Sequence, residues 1–278
     1  MTYHYLDVPG GRLAYQISGS GERAVVWLPG LPLDSRAWEY QRRHFDTRAR
    51  NVFVDLRGYG RSGKLPAGTA DVTELNLADV HALITELGLE RALLVGFASA
   101  GHLAMRYAAK HPEHVTGLVV INGSPRFRQG PDWPLGFTAE GIARFGEVAR
   151  EGGIEALTDL VLDPDKVFRD VPPEEEARLG EWFRTMSRDA GTDTLLGFFE
   201  GISRDDDRNL LPSIKARTLL IAGTIGAEVP TDVALYLRQR IPYARLAEIP
   251  GGDHFLFATR PDLVNALIEQ ALRVADSS

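Results

Sequence analysis

From Leu93 to His111 the chain reads LLVGFASAGHLAMRYAAKH. Leu93, Leu94 and Val95 form a short apolar run of the kind that becomes a buried strand. Leu103, Ala104, Tyr107 and Ala108 follow at helical spacing, and Gly96, Ala98 and Ala100 lie between run and helix. A sharp strand-to-helix turn brings its two elements so close that only small residues fit two positions either side of the tip, and it presents the tip residue for nucleophilic attack. Gly96 and Ala100 put that tip at residue 98, where the chain carries alanine. A methyl group cannot attack a carbonyl. Ser99 is the neighbouring hydroxyl, but a shift of one residue would place Phe97 where the turn needs a small side chain, so Ser99 is not expected to attack. A second chemistry-bearing residue, His254, follows Gly251-Gly252-Asp253 on a loop after an apolar run. Histidine titrates near neutral pH, and in such a loop it seldom serves packing alone.

The elements that must position these residues can be read in order. Residues 3–8 and 12–17 alternate around Pro9-Gly10-Gly11 and predict an antiparallel hairpin. Residues 24–28 predict a central strand, ended by Pro29-Gly30-Leu31-Pro32. A helix over 35–45, a strand over 52–54, a glycine-spaced turn over 55–62 and a helix over 72–87 follow. After the turn at residue 98 come a strand over 115–121, and later a strand over 218–222, a helix over 233–240, a strand over 244–249 and a helix over 261–274. Strand–helix alternation predicts an α/β fold with a mostly parallel central sheet flanked by helices. Residues 126–213 break the alternation with a charged helical stretch, so the chain divides into a core of 1–125 and 214–278 and an inserted helical cap (lid) of 126–213 over the strand ends.

Composition narrows the function classes. The chain has 278 residues, 44% of them hydrophobic, and a net charge of -7, with no cysteine. That is ample for a large core. The absence of cysteine excludes disulfides, thiolate metal sites and a thiol nucleophile. Acidic balance without a basic run argues against nucleic acid or an anionic membrane as partner. No apolar stretch is long enough to span a bilayer, and the N-terminal MTYHYLDVPGG lacks a signal-peptide pattern, so a cytoplasmic protein is expected. His4, His44, His81, His111 and His114 show no spacing that suggests a metal site, and no metal or other cofactor is expected. The sequence leaves the oligomeric state open.

These segments resemble the α/β-hydrolase superfamily over nearly the whole chain. Leu94-Val95-Gly96-Phe97-Ala98-Ser99-Ala100-Gly101 is similar to that family's L-V-G-H-S-M-G-G, with Ala98 on the serine. Asp55 to Ser62 resembles its D-x-R-G-x-G-x-S loop, Leu28-Pro29-Gly30 lies where most members carry H-G, and Trp38 matches a common aromatic downstream. Ile249-Pro250-Gly251-Gly252-Asp253-His254-Phe255 resembles the segment holding the catalytic histidine. The resemblance implies a serine–histidine–acid triad, and here it departs twice. Ala98 stands on the nucleophile and Gly226, in Gly223-Thr224-Ile225-Gly226-Ala227-Glu228-Val229-Pro230, stands on the acid. Glu228, two positions on, is a substitute acid if the loop rearranges. Asn122 and Ser124 lie where some members keep an alternative acid, and either could orient an imidazole. Asp253 reads as a turn residue.

The resemblance also implies an intact oxyanion hole, made by the backbone N–H groups of Leu31 and Ser99. Phe97, Trp133, Trp182 and Phe255 are expected against the substrate. Arg57 and Arg61 brace the glycine-spaced turn, His102 packs or faces solvent, and Asp205-Asp206-Asp207 reads as a solvated turn. Three functional readings follow. The chain is an enzyme acting on a small carbonyl compound (ester, lactone or related) with His254 as general acid/base, open to lyase, cyclase or isomerase chemistry. It is a serine esterase or lactonase whose nucleophilic serine at position 98 has been mutated to alanine. Or it is a ligand-binding pseudoenzyme without turnover.

Overall fold

The computed structural model describes residues 2–66, 68, 69, 71–89, 91–163, 167, 168, 171–225 and 229–275. Eight strands form one sheet: β1 (His4–Val8), β2 (Gly11–Ser18), β3 (Ala24–Leu28), β4 (Arg50–Asp55), β5 (Ala92–Phe97), β6 (Val115–Ile121), β7 (Arg217–Gly223) and β8 (Ala244–Ile249). Their spatial order is β1-β2-β4-β3-β5-β6-β7-β8. The hairpin β1–β2 pairs antiparallel, with Val8 opposite Gly11, and β2 pairs antiparallel with β4. From β4 to β8 every pair is parallel. A parallel sheet needs cover on both faces, which is why β3 and β5 are apolar at every position and wholly buried.

The helices that cover it are α1 (Glu39–Phe45), α2 (Val72–Glu86), α3 (Ala98–Lys110), α7 (Thr231–Arg240) and α9 (Pro261–Val274). Period-two alternation sends Val25 and Trp27 of β3 into one core, with Phe45, Val264 and Ile268, and sends Val26 and Leu28 into the other, with Leu77, Leu103 and Leu237. The predicted helix over 35–45 divides into a 3-10 turn, Ser35–Trp38, followed by α1. Asp34 starts it, its carboxylate accepting from the Arg36 N–H. In α2 the inward face is Val72, Asn76, Leu77, Val80, Leu83 and Ile84, whereas Glu86 is exposed.

Between β6 and β7 stand α4 (Ala139–Val161), α5 (Pro173–Ala190) and α6 (Thr192–Ile202). Gly153, at φ +66° and ψ -161°, kinks α4. Aromatic rings join the insert to itself and to the loop after β8. Phe145 of α4 stacks on Phe199 of α6 at 5.0 Å, and Phe183 of α5 stacks on Phe255 at 4.9 Å, just before the short helix α8 (Leu256–Thr259). Among the described residues no helix is long and apolar enough to cross a membrane.

Candidate active site

The turn at residue 98 has the geometry its sequence demands. Ala98 is the first residue of α3 and sits in the left-handed region at φ +48°. Such a backbone costs a non-glycine residue about 1–2 kcal/mol and persists only where surrounding structure enforces it. The enforcement is close packing. A Cβ on Gly96 would stand 2.4 Å from the Ala100 carbonyl oxygen, and one on Gly30 would stand 2.6 Å from that of Phe97. Strand, helix and the loop after β3 are therefore held against each other by the missing side chains.

Ser99 occupies the first turn of α3, where backbone N–H groups lack partners inside the helix. Its hydroxyl oxygen accepts the Leu31 N–H at 2.9 Å. Leu31 is thus already engaged, by a side chain rather than by an empty hole. The loop carrying Leu31 is tied to the end of β4 through Asp55. One Asp55 oxygen accepts the Ser35 N–H at 2.9 Å, and the other accepts the Arg61 N–H at 2.8 Å. Gly60 makes room for it, since a Cβ there would meet Asp55 Oδ2 at 2.3 Å. Burial, and then the Asp34 carboxylate, push the Asp55 carboxyl up to about 6. Arg57 is fully buried and forks onto Asp79 at 2.8 and 3.0 Å, bracing the turn as expected, while Arg61 lies over the Tyr3 ring.

His254 lies on the loop between β8 and α8, its ring against Phe97 at 4.8 Å and Phe255 at 5.2 Å. Asn122 holds this loop from the end of β6. Its Nδ2 donates to the carbonyls of Asp253 at 3.1 Å and His254 at 2.8 Å, and its Oδ1 accepts the Gly223 N–H at 3.1 Å. Asn122, one of two residues that could orient the imidazole, grips the backbone that carries it. Ser124 donates its hydroxyl to the Arg126 carbonyl. Asp253 is buried and accepts the Thr259 hydroxyl at 3.0 Å. Gly226 and Glu228 lie outside the described residues.

Ala98, Ser99, Leu31 and His254 share one cavity of about 240 Å³. Its other walls include Pro32, Phe127, Phe137, Phe145, Leu157, Leu195, Phe199, Val229 and Phe255. Thr158 also reaches it, but its hydroxyl donates to the Ile154 carbonyl in its own helix. No acidic or basic side chain other than His254 lines the cavity among the described residues. The space suits an apolar group.

Two aromatic expectations are corrected. Trp133 is buried away from the cavity, its Nε1 donating to the Arg126 carbonyl and its ring edge-to-face with Tyr236. Trp182 stacks on Phe183 with Arg178 over it, and also does not line the cavity. Phe97 is fully buried and packs behind the His254 and Phe255 rings, while Phe255 lines the cavity.

The run Asp205-Asp206-Asp207 is not a solvated turn. Asp207 is buried and accepts from Arg106 Nε at 2.6 Å and Nη2 at 3.0 Å, with His102 Nε2 at 2.9 Å. His102 packs, as expected, and its Nδ1 meets the Ser124 carbonyl at 2.9 Å. Asp206 pairs with Arg126 and Arg208. The readable signal was Arg106, one helical turn after His102 and so on the same face of α3. This network fastens the start of the insert and the segment after α6 to the core.

Comparison with known proteins places the chain. Residues 25–267 match the sequence model of the Alpha/beta hydrolase family. Among curated relatives, an AB hydrolase superfamily protein, YisY of Bacillus subtilis, is 31% identical over 89% of this chain and 91% of that protein. A putative carbamate hydrolase, RutD of Azorhizobium caulinodans, is 29% identical over 92% of this chain and 93% of that one. Among solved structures, the enol-lactonase from Burkholderia xenovorans LB400 superposes with a TM-score of 0.87 at 26% identity, covering 97% of this chain and 100% of that chain.

Proposed function

The chain belongs to the alpha/beta hydrolase family, and from that premise we propose that it is an enzyme acting on a small, largely apolar carbonyl compound, an ester or lactone in class, with His254 as general acid/base. The observation that carries this reading is the single cavity shared by His254, Ser99, Leu31 and Ala98. Without a hydroxyl at residue 98, the attacking group is water. His254 takes its proton as the oxygen adds to the carbonyl, and returns a proton to the leaving oxygen as the tetrahedral species collapses. The developing oxyanion is met by the Ser99 N–H and by the Ser99 hydroxyl, whose oxygen accepts from Leu31 and so is polarised toward donation. Glu228 serves as the acid in place of Gly226. Residues 126–213 act as a lid whose apolar face selects the substrate. The relatives' hydrolytic names support the reaction class.

A second reading has an observation of its own. The left-handed backbone at Ala98 is the costly part of a nucleophile-presenting turn, and it is retained where an alanine gains nothing from it. That favours a serine esterase or lactonase whose nucleophilic serine at position 98 has been mutated to alanine. The test is hydrolysis of short p-nitrophenyl esters by the chain, by Ala98→Ser and by His254→Ala. Turnover by the chain that His254→Ala abolishes supports the first reading. A silent chain with a burst and turnover in Ala98→Ser supports the second. Silence in all three leaves ligand binding without turnover.

A further inference from the structure

Sequence spacing separated His81, His111 and His114, and the fold brings them together. His81 lies in α2, His111 directly follows α3, and His114 ends the 3-10 turn Pro112–His114 before β6. One ring nitrogen from each lies within 4.8 Å of the other two. The His81 and His111 rings face each other at 4.2 Å, and His114 lies 5.4 Å from His81. All three are partly exposed, so an ion has a path from solvent.

We propose that these three histidines bind one divalent transition-metal ion, with Zn2+ as the ion their donors suit. Imidazole nitrogen is a preferred zinc ligand, and three of them with one position left for water or a carboxylate complete a tetrahedral shell. Zinc–nitrogen bonds of about 2.0–2.1 Å require ligand nitrogens roughly 3.4 Å apart. On binding, the three nitrogens close from within 4.8 Å to that spacing. The groups behind the rings fit the role. The Tyr107 hydroxyl lies 2.9 Å from His114 Nδ1 and 3.3 Å from His81 Nδ1, so it orients two of the three rings. Glu113 Oε1 stands 3.6 Å from His111 Nδ1, within reach as the outer partner of that ring or as the fourth ligand.

The site is remote from the cavity. The 13 residues of α3 run from Ala98 to the residue before His111, about 20 Å of helix. Bound metal would tie α2 to the turn between α3 and β6, and so raise stability by mass action without touching the chemistry. The proposal therefore stands apart from the reading of the active site.

The test titrates the chelator-treated chain with ZnCl2 alone, following competition with a chromophoric chelator, the melting temperature and the histidine ring resonances. One zinc per chain is expected, with a rise in melting temperature and joint shifts of three of the seven histidines. His81→Ala, His111→Ala and His114→Ala are each expected to weaken binding at least tenfold, while His44→Ala leaves it unchanged. Substoichiometric binding, shifts confined to other histidines, or affinities within threefold of the parent in all three variants would overturn the proposal. The ring resonances of the intact chain decide the matter even where a variant folds poorly.

Discussion

The backbone N–H of Leu31 donates to the Ser99 hydroxyl across 2.9 Å, at the wall of the cavity that holds His254. Two backbone donors aimed at one oxyanion were expected from the sequence. In the structure a side-chain hydroxyl accepts from one of them. A hydroxyl that accepts from Leu31 can still donate, so under the proposed function Ser99 extends the Leu31 donor. Ser99→Ala removes the hydroxyl and frees the Leu31 N–H to bind oxygen from farther away. Losing one oxyanion donor costs about 100- to 1,000-fold in kcat, and partial replacement by Leu31 reduces the expected loss to about tenfold. KM should stay within twofold. Steady-state ester kinetics check this, and a rise in kcat would mean that the hydroxyl obstructs the hole.

Asn122 makes the same kind of indirect contribution through the loop that carries His254. Its amide joins β6, the end of β7 and the loop carrying His254 through three hydrogen bonds. Asn122→Ala leaves two carbonyls and one N–H without that partner, and each buried polar group so stranded costs about 1–3 kcal/mol. The variant also keeps a left-handed backbone, at φ +45°, on a residue that tolerates it less well than asparagine. Denaturant unfolding should show a loss of about 3 kcal/mol. In the folded fraction kcat should fall more than KM rises, since His254 is displaced and the apolar walls are not.

Much of this was legible beforehand, and the exceptions have physical causes. Strands over 115–121 and 244–249 and the helix over 261–274 coincide with β6, β8 and α9, because apolar periodicity and the flanking Pro112, Gly251 and Pro261 act within a few residues of chain. The tip at Ala98 was legible for the same reason, since its sterics are local. Trp133 and Trp182 were misplaced because an aromatic residue in a helical insert carries no mark of which side it faces. Asp207 was misread because its partners, His102 and Arg106, lie about a hundred residues earlier. The histidine trio was invisible for the same reason, since His81 meets His111 and His114 only after α2 docks beside α3.

Asp55 gives the chain a pH signature near neutrality. Burial and the neighbouring Asp34 raise its carboxyl to about 6, above the ordinary value of 3.8. The folded state therefore holds this proton more tightly than the unfolded chain. Its stabilising share is complete below about pH 4 and is lost as pH rises through 6. The stability difference between the parent and Asp55→Asn should shrink from pH 4 to pH 7 in urea titrations taken at each pH. A difference that grows over this range would place the charge on Asp55 throughout.

Asp207 titrates in the opposite sense and sets acid tolerance. Burial alone would raise its carboxyl, but hydrogen bonds from His102 and Arg106 outweigh burial and hold it down at about 2. The folded state binds this proton less tightly than the unfolded chain, so the stabilising share is complete above about pH 4 and is lost as pH falls toward 2. Asp207→Asn should remove that slope, and its deficit relative to the parent should vanish near pH 2. Arg106→Ala is the harsher change. It leaves a buried carboxylate without its guanidinium partner, and breaking a buried pair from one side costs about 3–5 kcal/mol. The loss should appear at pH 7 as unfolding at lower urea, with the segment after α6 the first to gain amide hydrogen exchange. That order of opening follows from the network's position, because Arg106 stands on the core helix α3 and Asp207 on the chain that returns from the insert.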